Sequence, residues 1–496
     1  MIKLQELVEG LKIEGIKGNL KFDVLGISYD SRRVKAGYLF VAISGFKQDG
    51  HNFIKEAITN GAKAVVVEKE IDLDLDLSQQ DVAVINVDDS RKALAYLSAK
   101  FYDYPSKKMT VIGVTGTNGK TTTTYLIEEI LRNLGFDTGL IGTIKNKISS
   151  QEKKSKRTTP EALDLQRMLA EMVKEDVTHV VMEVSSHALE LDRVLEIDFD
   201  RQIFTNLSQD HLDFHQNFEQ YLAAKLKLFK FSDHPAIINF DDQRGEQVVK
   251  VAKGEVIGYG IDAQEAEIKA EKIRIDQKGV SYLLQVDEKE LLINLNLTGR
   301  FNVYNSLAAI GTVHSLGVEL QEVKQGIEEI EGVPGRFQLI DEGQSFGVIV
   351  DYAHAPAGME NVLKTADEIT EGRKIIVFGC GGDRDRKKRP IMGKIGVELA
   401  DFAIVTSDNP RSEDPLKIIE EIEVGIKEDG NVEGEDYIII EDRAAAIQRG
   451  IELAQENDLV IIVGKGHETY QEIKGEILEF DDREVAREIL QSRGEN

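Results

Sequence analysis

Short apolar runs that end in glycine-rich or polar turns recur along the chain, and segments with helical spacing of apolar residues follow them. The run 110–114 enters a turn at 116–119, and residues 125–131 then carry apolar side chains at helical spacing. Strands and helices that alternate in this way predict an α/β protein with mainly parallel sheets. Such sheets bind ligands where their strands end.

The same reading predicts elements throughout the chain. Strands are expected at 38–43, 64–67, 110–114, 179–184, 236–239, 347–351, 374–378, 402–406 and 459–463. Helices are expected at 53–60, 91–102 and 221–229. Residues 264–297 alternate singly between polar and apolar, which indicates antiparallel edge strands.

The chain of 496 residues is too long for one hydrophobic core. Two segments are suited to join domains: a polar stretch with a proline at 104–108, and Gly-Val-Pro-Gly at 332–335. We therefore expect domains at 1–107, 108–332 and 333–496.

Residues 113–122 read Gly-Val-Thr-Gly-Thr-Asn-Gly-Lys-Thr-Thr and join a predicted strand to a predicted helix. Backbone N–H groups and the positive helix end would face a phosphate there, and Lys120 would add a mobile charge. The Thr121 hydroxyl is placed to bind Mg²⁺. The usual phosphate-loop pattern has glycine where Val114 stands, so a chance Gly-Lys-Thr turn is the alternative.

Other polar residues follow predicted strands. Glu183 is a candidate Mg²⁺ ligand or a buried, hydrogen-bonded carboxylate, and His211 is a candidate metal ligand or a structural histidine. Lys225 lies beside the apolar face of its predicted helix, and spacing alone assigns it no function, so a helix-surface lysine is the default prediction. The glycine-rich turn 378–384 resembles a dinucleotide-binding fingerprint, but Arg384 stands where the last glycine of that fingerprint is required. An arginine-bearing loop that binds an anion is therefore the favoured interpretation.

Composition narrows the partners. The chain has 88 acidic and 61 basic side chains, a net charge of −27, which argues against nucleic acid or an anionic membrane. Residues 1–6 do not resemble a signal peptide, so none is expected, and no run of about 18 apolar residues could span a bilayer. The single cysteine, Cys380, excludes an intrachain disulfide and is expected to be a packing residue. A cytoplasmic location is expected.

Ten motifs follow one another along nearly the whole chain. They begin at Asp30, Thr115, Thr158, Glu183, Asn206, Ala224, Gly299, Asp351, Asp408 and Gly464. In this order they resemble the ATP-dependent Mur ligases, specifically the members that add the third residue of the peptidoglycan stem peptide. The resemblance implies an α/β, three-domain Mur ligase architecture, with a central P-loop ATPase-like sheet and a Rossmann-like C-terminal domain.

The resemblance also implies a reaction. ATP would phosphorylate the terminal carboxylate of UDP-N-acetylmuramoyl-L-alanyl-D-glutamate, and the amine of an amino acid would attack the acyl phosphate to form an amide. Two Mg²⁺ ions are implied, the first at Thr121 and Glu183 and the second at His211 and a carbamylated Lys225 (N6-carboxylysine). Carbamylation requires a neutral amine, so the pKa of Lys225 should be lowered. Lys120 completes the implied catalytic set.

The family's binding residues carry over by position. ATP contacts are implied for Gly116, Thr117, Asn118, Gly119, Lys120, Thr121, Thr122, Asn302, Arg336 and Asp351. Contacts to the UDP-muramoyl dipeptide are implied for Tyr29, Ser31, Phe46, Lys47, Gln48, Thr158, Thr159, Ser185 and Arg193. Donor contacts are implied for Arg384, Asp408, Asn409, Pro410, Arg411, Gly464 and Glu468. The chain departs from the best-studied pattern at Arg157, where asparagine is common, and at Leu191, where glutamine occurs.

The motif Asp-Asn-Pro-Arg at 408–411 resembles the form linked to meso-2,6-diaminopimelate, which is lysine with a second carboxylate at its far end. Arg411 offers a planar fork for that carboxylate, and Glu468 could receive the far ammonium. With lysine bound the fork would stay unpaired, at a typical cost of about 2–5 kcal/mol. The alternative for Arg411 is a surface salt bridge with Glu413 or Asp414.

Three other functions remain open. One is a lysine-adding Mur ligase. Another is a folylpolyglutamate synthase, which should lack the motif at 30–32 and the motif at 408–411. The third is a P-loop regulator that hydrolyses nucleotide to move a partner. The resemblance favours a monomer whose partners are small molecules.

Overall fold

A computed structural model describes residues 2–46, 48–70, 82–210, 212–428 and 430–494. The chain divides into two compact units, residues 1–266 with 311–318, and residues 267–310 with 319–496. Both units contain mainly parallel sheets with helices between the strands, so the predicted α/β class is confirmed. The domain boundaries at 107 and 332 stay predictions.

A five-stranded sheet opens the first unit. In spatial order its strands are Ile13–Lys17, Ala83–Val87, Ala62–Val67, Tyr38–Val41 and Gly26–Ser28. All are parallel except Ile13–Lys17. The α-helices among the described residues of this part are Leu4–Leu7, Ile54–Thr59 and Ser90–Phe101, and Ile2–Lys3 pairs with Asp23–Val24. Consecutive residues Ala64, Val65 and Val66 are all fully buried, as expected for a strand covered on both faces.

A larger sheet of the first unit carries the predicted phosphate loop. Its strands in this unit, in spatial order, are Gln151–Lys154, Lys145–Ile148, Thr138–Ile141, His179–Glu183, Thr110–Thr115, Arg201–Phe204, Ala236–Asn239 and Val256–Gly260. The first two form an antiparallel hairpin and the other six are parallel. The remaining helices of the unit are Lys120–Asn133, Ala162–Lys174, Ser186–Glu190, Leu212–His215, Phe218–Leu226, Leu228–Phe231 and Gly245–Val249.

The position of the 110–115 strand brings three turns together. It lies between the 179–183 and 201–204 strands and runs parallel to both. The turns that follow these three strands therefore meet at one edge of the sheet. Those turns contain the phosphate loop, the Glu183 motif and the Asn206 motif.

The second unit contains an antiparallel and a mainly parallel sheet. Ile268–Ile275, Val280–Val286 and Lys289–Leu295 form an antiparallel meander, as predicted. The other sheet has the order Gln338–Leu339, Gly347–Asp351, Leu459–Val463, Lys374–Phe378, Phe402–Val405 and Tyr437–Ile439, and only its first strand is antiparallel. The helices of the second unit are Leu320–Glu328, Pro356–Ile369, Lys388–Leu399, Pro415–Lys427, Arg443–Leu453 and Asp482–Gly494. Tyr470–Ile473 and Glu476–Glu479 form a hairpin, and the helix Arg300–Ser315 crosses the division between the units.

Two local details differ from expectation. The predicted helix 221–229 is two helices, Phe218–Leu226 and Leu228–Phe231. The segment proposed as a linker contains a short 3₁₀ helix, Pro105–Lys108. Both differences involve element ends, which local sequence specifies weakly.

Cys380 is a packing residue, as predicted. Its side chain is buried in the core of the second unit, with Sγ 3.7 Å from the sulfur of Met392. Burial raises the pKa of the Cys380 thiol to about 12, so the thiolate required of a nucleophile is disfavoured. Within the described part of the chain, no helix has the length and apolar character needed to cross a membrane.

A fully buried ion pair fixes the helix that ends the second unit. Arg443 donates from Nε to Asp482 Oδ1 at 2.7 Å and from Nη2 to Oδ2 at 2.8 Å. The same guanidinium donates to the main-chain oxygen of Val463 at 3.0 Å and lies 3.4 Å from that of Ser407. Both side chains are completely buried, so each charge depends on the other.

Replacing Asp482 with asparagine should lower the free energy of unfolding by about 3–5 kcal/mol, because Arg443 would keep a buried charge without its counterion. Chemical denaturation monitored by circular dichroism measures the change. The matched control is Asp88→Asn in the exposed Lys12–Asp88 pair, where solvent screens the charges and little change in the free energy of unfolding is expected. Equal effects of the two substitutions would contradict the argument.

Candidate active site

The phosphate loop joins the 110–115 strand to the helix Lys120–Asn133. Gly119 precedes the helix with φ +82°, a left-handed conformation that favours glycine. A Cβ on Gly116 would lie 1.9 Å from Thr205 Oγ1, so no larger residue fits. Val114 is a fully buried strand residue paired with Glu183, which places the usual glycine position inside the sheet rather than in the turn.

The turn after the 201–204 strand holds this loop in place. Thr205 Oγ1 donates to Asn118 O at 2.6 Å, and Asn118 N donates to Asn206 Oδ1 at 2.9 Å. Thr117 N donates to Asn206 O at 2.9 Å. Sequence reasoning assigned no role to Thr205 or Asn206. Their position directly after a strand beside the loop was the available signal.

Two lysine amines converge on one carbonyl oxygen of the loop. Lys120 Nζ donates to Gly116 O at 3.0 Å and to Thr117 O at 2.7 Å. Lys225 Nζ donates to Gly116 O at 2.5 Å. Tyr221 lies beside both groups, with its ring centre 4.6 Å from the Lys225 amine and its hydroxyl 3.1 Å from Thr117 Oγ1.

Lys225 is only 2 % exposed, so its prediction as a helix-surface lysine is wrong. Burial holds the pKa of Lys225 well below its usual value, and the nearby Lys120 charge lowers it further. The helical residue therefore projects into the protein, under the phosphate loop. The pKa of the Lys225 amine is therefore lowered, as predicted.

Glu183 ends its strand as a fully buried carboxylate. Its Oε1 accepts from Thr143 N at 2.7 Å and its Oε2 accepts from Thr143 Oγ1 at 3.0 Å. These donors are neutral, and no ion pair to Glu183 occurs among the described residues. Glu183 is thus a buried carboxylate beside the phosphate loop, and no described cationic side chain balances its charge. Its oxygens are suitable ligands for Mg²⁺. The Thr121 side chain is buried at the start of the adjacent helix.

His211 lies outside the described residues, so its predicted role as a metal ligand stays a prediction. Within the described ranges, no group of three or more His, Cys, Asp or Glu side chains could hold a metal. The predicted first Mg²⁺ site uses fewer such side chains, because a threonine hydroxyl and phosphate oxygens are its other expected ligands.

The predicted dipeptide contacts surround the Glu183 turn. Thr159 Oγ1 donates to Glu183 O at 2.8 Å and accepts from Ser185 N at 3.1 Å. Arg193 Nη1 donates to Thr159 O at 3.1 Å, and its Nη2 lies 2.8 Å from Glu161 Oε1. Thr158 Oγ1 lies 3.0 Å from Thr143 Oγ1, which links this group to the Glu183 carboxylate.

Arg157, the departure from the family pattern, forms an ion pair with Glu161, and Arg91 lies 3.6 Å from the same carboxylate. Leu191 is the C-cap of the helix Ser186–Glu190. Burial lowers the pKa of Arg193, although Glu161 opposes the shift. The guanidinium groups of Arg91, Arg157 and Arg193 therefore all lie beside the Glu161 carboxylate.

The predicted uridine-side residues lie in the five-stranded part of the first unit. Ser31 Oγ donates to Glu56 Oε2 at 2.6 Å, and Tyr29 OH donates to Asp164 Oδ2 at 2.6 Å. Phe46 is 77 % exposed. Gln48 O accepts from Gly45 N at 3.1 Å and closes the turn, whereas Lys47 lies outside the described residues.

The second unit has its own cluster at the ends of adjacent strands. Asp351 accepts from Phe337 N at 2.7 Å and from Ala353 N at 2.8 Å. Burial raises the pKa of Asp351, and the Arg336 charge opposes that rise. Asn302 is 1 % exposed and donates to Thr298 O at 2.8 Å, so its amide is used inside the protein. Its predicted nucleotide contact stays a prediction.

The predicted donor motifs contact one another within the second unit. Asn409 donates from Nδ2 to Glu468 Oε2 at 2.8 Å, and its Oδ1 accepts from Lys465 Nζ at 3.2 Å. A Cβ on Gly464 would lie 2.7 Å from Asp408 Oδ2. The turns that begin at 408 and 464 are therefore in direct contact.

Lys465 also belongs to this group of donor-motif residues, although the sequence pattern did not predict it. It is fully buried, lies 3.6 Å from Glu468 Oε2 and has a pKa lowered by burial. Its position inside the Gly-Lys-Gly-His-Glu motif was the available signal. Arg384, by contrast, is exposed, with Nη1 3.5 Å from Asp383 O.

Arg411 adopts a left-handed conformation with φ +52°, which is uncommon for a residue with a side chain. Its Nη1 donates to Gly382 O at 2.8 Å and its Nε lies 3.4 Å from Glu472 Oε2. The alternative of a salt bridge with Glu413 or Asp414 is wrong. Glu413 binds Arg389, at 2.8 Å between Nη2 and Oε1, and Asp414 caps the next helix.

The chain is similar to known proteins in both sequence and structure. Residues 23–102 match the model "Mur ligase family, catalytic domain", 114–313 match "Mur ligase middle domain", and 335–466 match "Mur ligase, glutamate ligase domain". The chain is 47 % identical over 492 residues to UDP-N-acetylmuramoyl-L-alanyl-D-glutamate--2,6-diaminopimelate ligase of Clostridium botulinum, with 99 % of each chain covered. It is 48 % identical over 496 residues to the Syntrophomonas wolfei protein of the same name, covering 99 % of this chain and 100 % of that one.

A solved structure of a UDP-N-acetylmuramoyl-L-alanyl-D-glutamate--2,6-diaminopimelate ligase is also similar. It aligns over 99 % of both chains with a TM-score of 0.73 and 32 % identity. Both the resemblance and the three-domain α/β architecture expected from the motifs are thereby confirmed. From these matches along its whole length, the chain belongs to the Mur ligase family.

Proposed function

We propose that the chain is an ATP-dependent ligase that joins UDP-N-acetylmuramoyl-L-alanyl-D-glutamate to meso-2,6-diaminopimelate through an acyl phosphate in peptidoglycan synthesis. The observation that carries the proposal is the buried Lys225 amine beside Lys120 on the carbonyl of a phosphate loop. Nucleotide hydrolysis alone has no need of a second, neutral lysine at that position. The reaction would take place in the cytoplasm, in a monomer with domains at 1–107, 108–332 and 333–496.

The first chemical step must bring two anions together. The dipeptide carboxylate would attack the γ-phosphorus of ATP, and ADP would leave. Lys120 follows the glycine loop and can move its ammonium from the Gly116 and Thr117 carbonyls to the phosphate. Mg²⁺, held by Thr121 and Glu183, would supply further neutralisation of the phosphate charge.

Lys225 is proposed to carry a carbamate. Its neutral amine would add to CO₂, form an N–C bond and release one proton, which leaves an anionic oxygen group on a buried side chain. Burial and the Lys120 charge favour the neutral amine that this addition requires. With His211, the carbamate would hold a second Mg²⁺, whose preferred ligands are oxygens.

The dipeptide is proposed to bind around the Glu183 turn and the first sheet. Arg193 and the Thr158–Thr159 pair would orient the sugar–peptide part, and Ser31 with the turn at 46–48 would bind the uridine part. The position of Arg193 supports this role, because its guanidinium donates to Thr159 O, and Thr159 in turn accepts from Ser185 N. The carboxylate to be activated would thereby lie near the phosphate loop.

The donor is proposed to bind at the contacting turns of the second unit. Arg411 would bind the far carboxylate of diaminopimelate, and Glu468 would bind its far ammonium. The left-handed backbone at Arg411 and the hydrogen bond to Gly382 O hold the guanidinium before any donor arrives. The donor's other amine would attack the acyl carbon and release phosphate.

ATP turnover with purified protein tests the function. Phosphate release should require Mg²⁺, the UDP-muramoyl dipeptide and an amino acid together, and diaminopimelate should support a higher rate than lysine or ornithine. Turnover of ATP without dipeptide or amino acid would instead indicate a P-loop regulator. Equal or better use of lysine would indicate the lysine-adding activity, and glutamylation of a folate would indicate a folylpolyglutamate synthase.

A further inference from the structure

The Glu472 carboxylate is the counterion beside Arg411. The Glu472 carboxylate lies 3.4 Å from Arg411 Nε, and the two side chains are 33 % and 19 % exposed. The other nearby carboxylate, Glu413, is already held by Arg389. Arg411 therefore has a carboxylate of the protein beside its guanidinium group.

The backbone fixes this pairing. Arg411 N donates to Glu472 O at 2.9 Å, and Lys474 N donates to Arg411 O at 2.6 Å, which makes a parallel bridge between Arg411 and Ile473. Glu472 N donates to Asn409 Oδ1 at 2.9 Å. The segment that carries Glu472 is thus hydrogen-bonded to the Asn409 side chain and to both main-chain groups of Arg411.

We propose that Glu472 sets the strength of discrimination between a donor with a far carboxylate and a donor without one. The inference rests on the proposed role of Arg411. A diaminopimelate carboxylate must displace Glu472 from the guanidinium or share it, and two carboxylates close together repel each other. A lysine donor leaves the Arg411–Glu472 pair in place, so Arg411 is not left unpaired.

Glu472 therefore reduces the difference in binding free energy between diaminopimelate and lysine. The cost of an unpaired arginine, which would otherwise oppose lysine, is offset by the protein's own carboxylate. Removing the Glu472 charge should make the site more selective. A merely structural role predicts the opposite, because loss of a loop contact would weaken the use of both donors.

The test compares Glu472→Gln with the unchanged enzyme, using diaminopimelate and lysine in the complete ligation assay. The KM for diaminopimelate should fall about two- to fivefold, the range expected for a partly exposed ion pair, while kcat/KM for lysine should not rise. Glu476→Gln is the matched control, since Glu476 is an exposed carboxylate on the other strand of the same hairpin. It should leave both values unchanged.

Measurements in an Arg411→Ala background distinguish the proposed role of Glu472 in selectivity from the proposed role of Arg411 in donor binding. There Glu472→Gln should no longer lower the KM for diaminopimelate. If Glu472→Gln raises that KM, or matches the Glu476→Gln control, the role of Glu472 is overturned while that of Arg411 stands. If Arg411→Ala leaves diaminopimelate use unchanged, Arg411 is not the donor residue and both proposals fail.

Discussion

Replacing Lys225 with alanine should lower the rate of ligation by about a hundredfold to a thousandfold, the usual effect of removing one preorganised electrostatic group from an active site. The amine lies under the phosphate loop, 2.5 Å from Gly116 O, and has almost no exposure to solvent. Its loss removes the proposed carbamate oxygens and leaves a cavity beside Lys120. Initial rates of phosphate release with saturating substrates measure the effect.

Two further variants distinguish a carbamate from a simple cation. Lys225→Arg keeps a positive charge but cannot form the carbamate, so it should be as inactive as Lys225→Ala. Acetate should restore part of the activity of Lys225→Ala, because a small carboxylate can occupy the vacated space. Lys227→Ala is the matched control, since Lys227 lies two residues away, is partly exposed and pairs with Glu190.

A readout independent of activity is also available. Protein equilibrated with ¹³C-labelled bicarbonate should show a carbamate carbon resonance that is absent from Lys225→Arg. Full activity of Lys225→Ala, or a carbamate resonance that survives in Lys225→Arg, would falsify the assignment. The lowered pKa of Lys225 predicts that the resonance persists at neutral pH, where an ordinary lysine is protonated.

Replacing Arg411 with alanine should reduce kcat/KM for diaminopimelate by about 30- to 5,000-fold, the effect of truncating one partner of a hydrogen-bonded charge pair that the bound donor would cover. The KM for ATP should not change. Because Glu472 already pairs with Arg411, the lower part of that range is expected. Steady-state kinetics with each substrate varied in turn measure the two effects.

Arg411→Lys tests the geometry of the interaction. A lysine keeps the charge but lacks the planar fork that binds a carboxylate through two hydrogen bonds, so most of the loss should persist. Arg449→Ala is the control, because Arg449 is an exposed helix residue of the same unit, 3.6 Å from Glu452. If Arg411→Ala weakens ATP and diaminopimelate use equally, Arg411 does not belong to the donor site.

Much of the site was predictable because its residues directly follow apolar strands. The phosphate loop, Glu183 and the 408–411 motif each end such a strand, and parallel strands place their carboxyl ends at one edge of a sheet. Ordered motifs then identified the family. The polar hairpin at 145–154 had no comparable signal, because its residues lack a clear alternation of apolar side chains.

Contacts between distant residues could not be predicted in the same way. Lys225 reaches a carbonyl 109 positions earlier in the chain, and Glu472 lies beside Arg411 only because a hairpin packs on the motif. The alternative partner proposed for Arg411, Glu413, is nearer in sequence but binds Arg389. Sequence proximity is a poor guide to ion pairs where buried arginines compete for the carboxylates.

By itself, the sequence determined the α/β class, the phosphate loop and the family, because strand periodicity and motif spacing are local properties of the chain. Only the tertiary structure decided which charges are buried and which carboxylate neutralises which cation. Burial and pairing depend on side chains that packing brings together from distant segments, and they alter the pKa of Lys225 and the environment of Arg411.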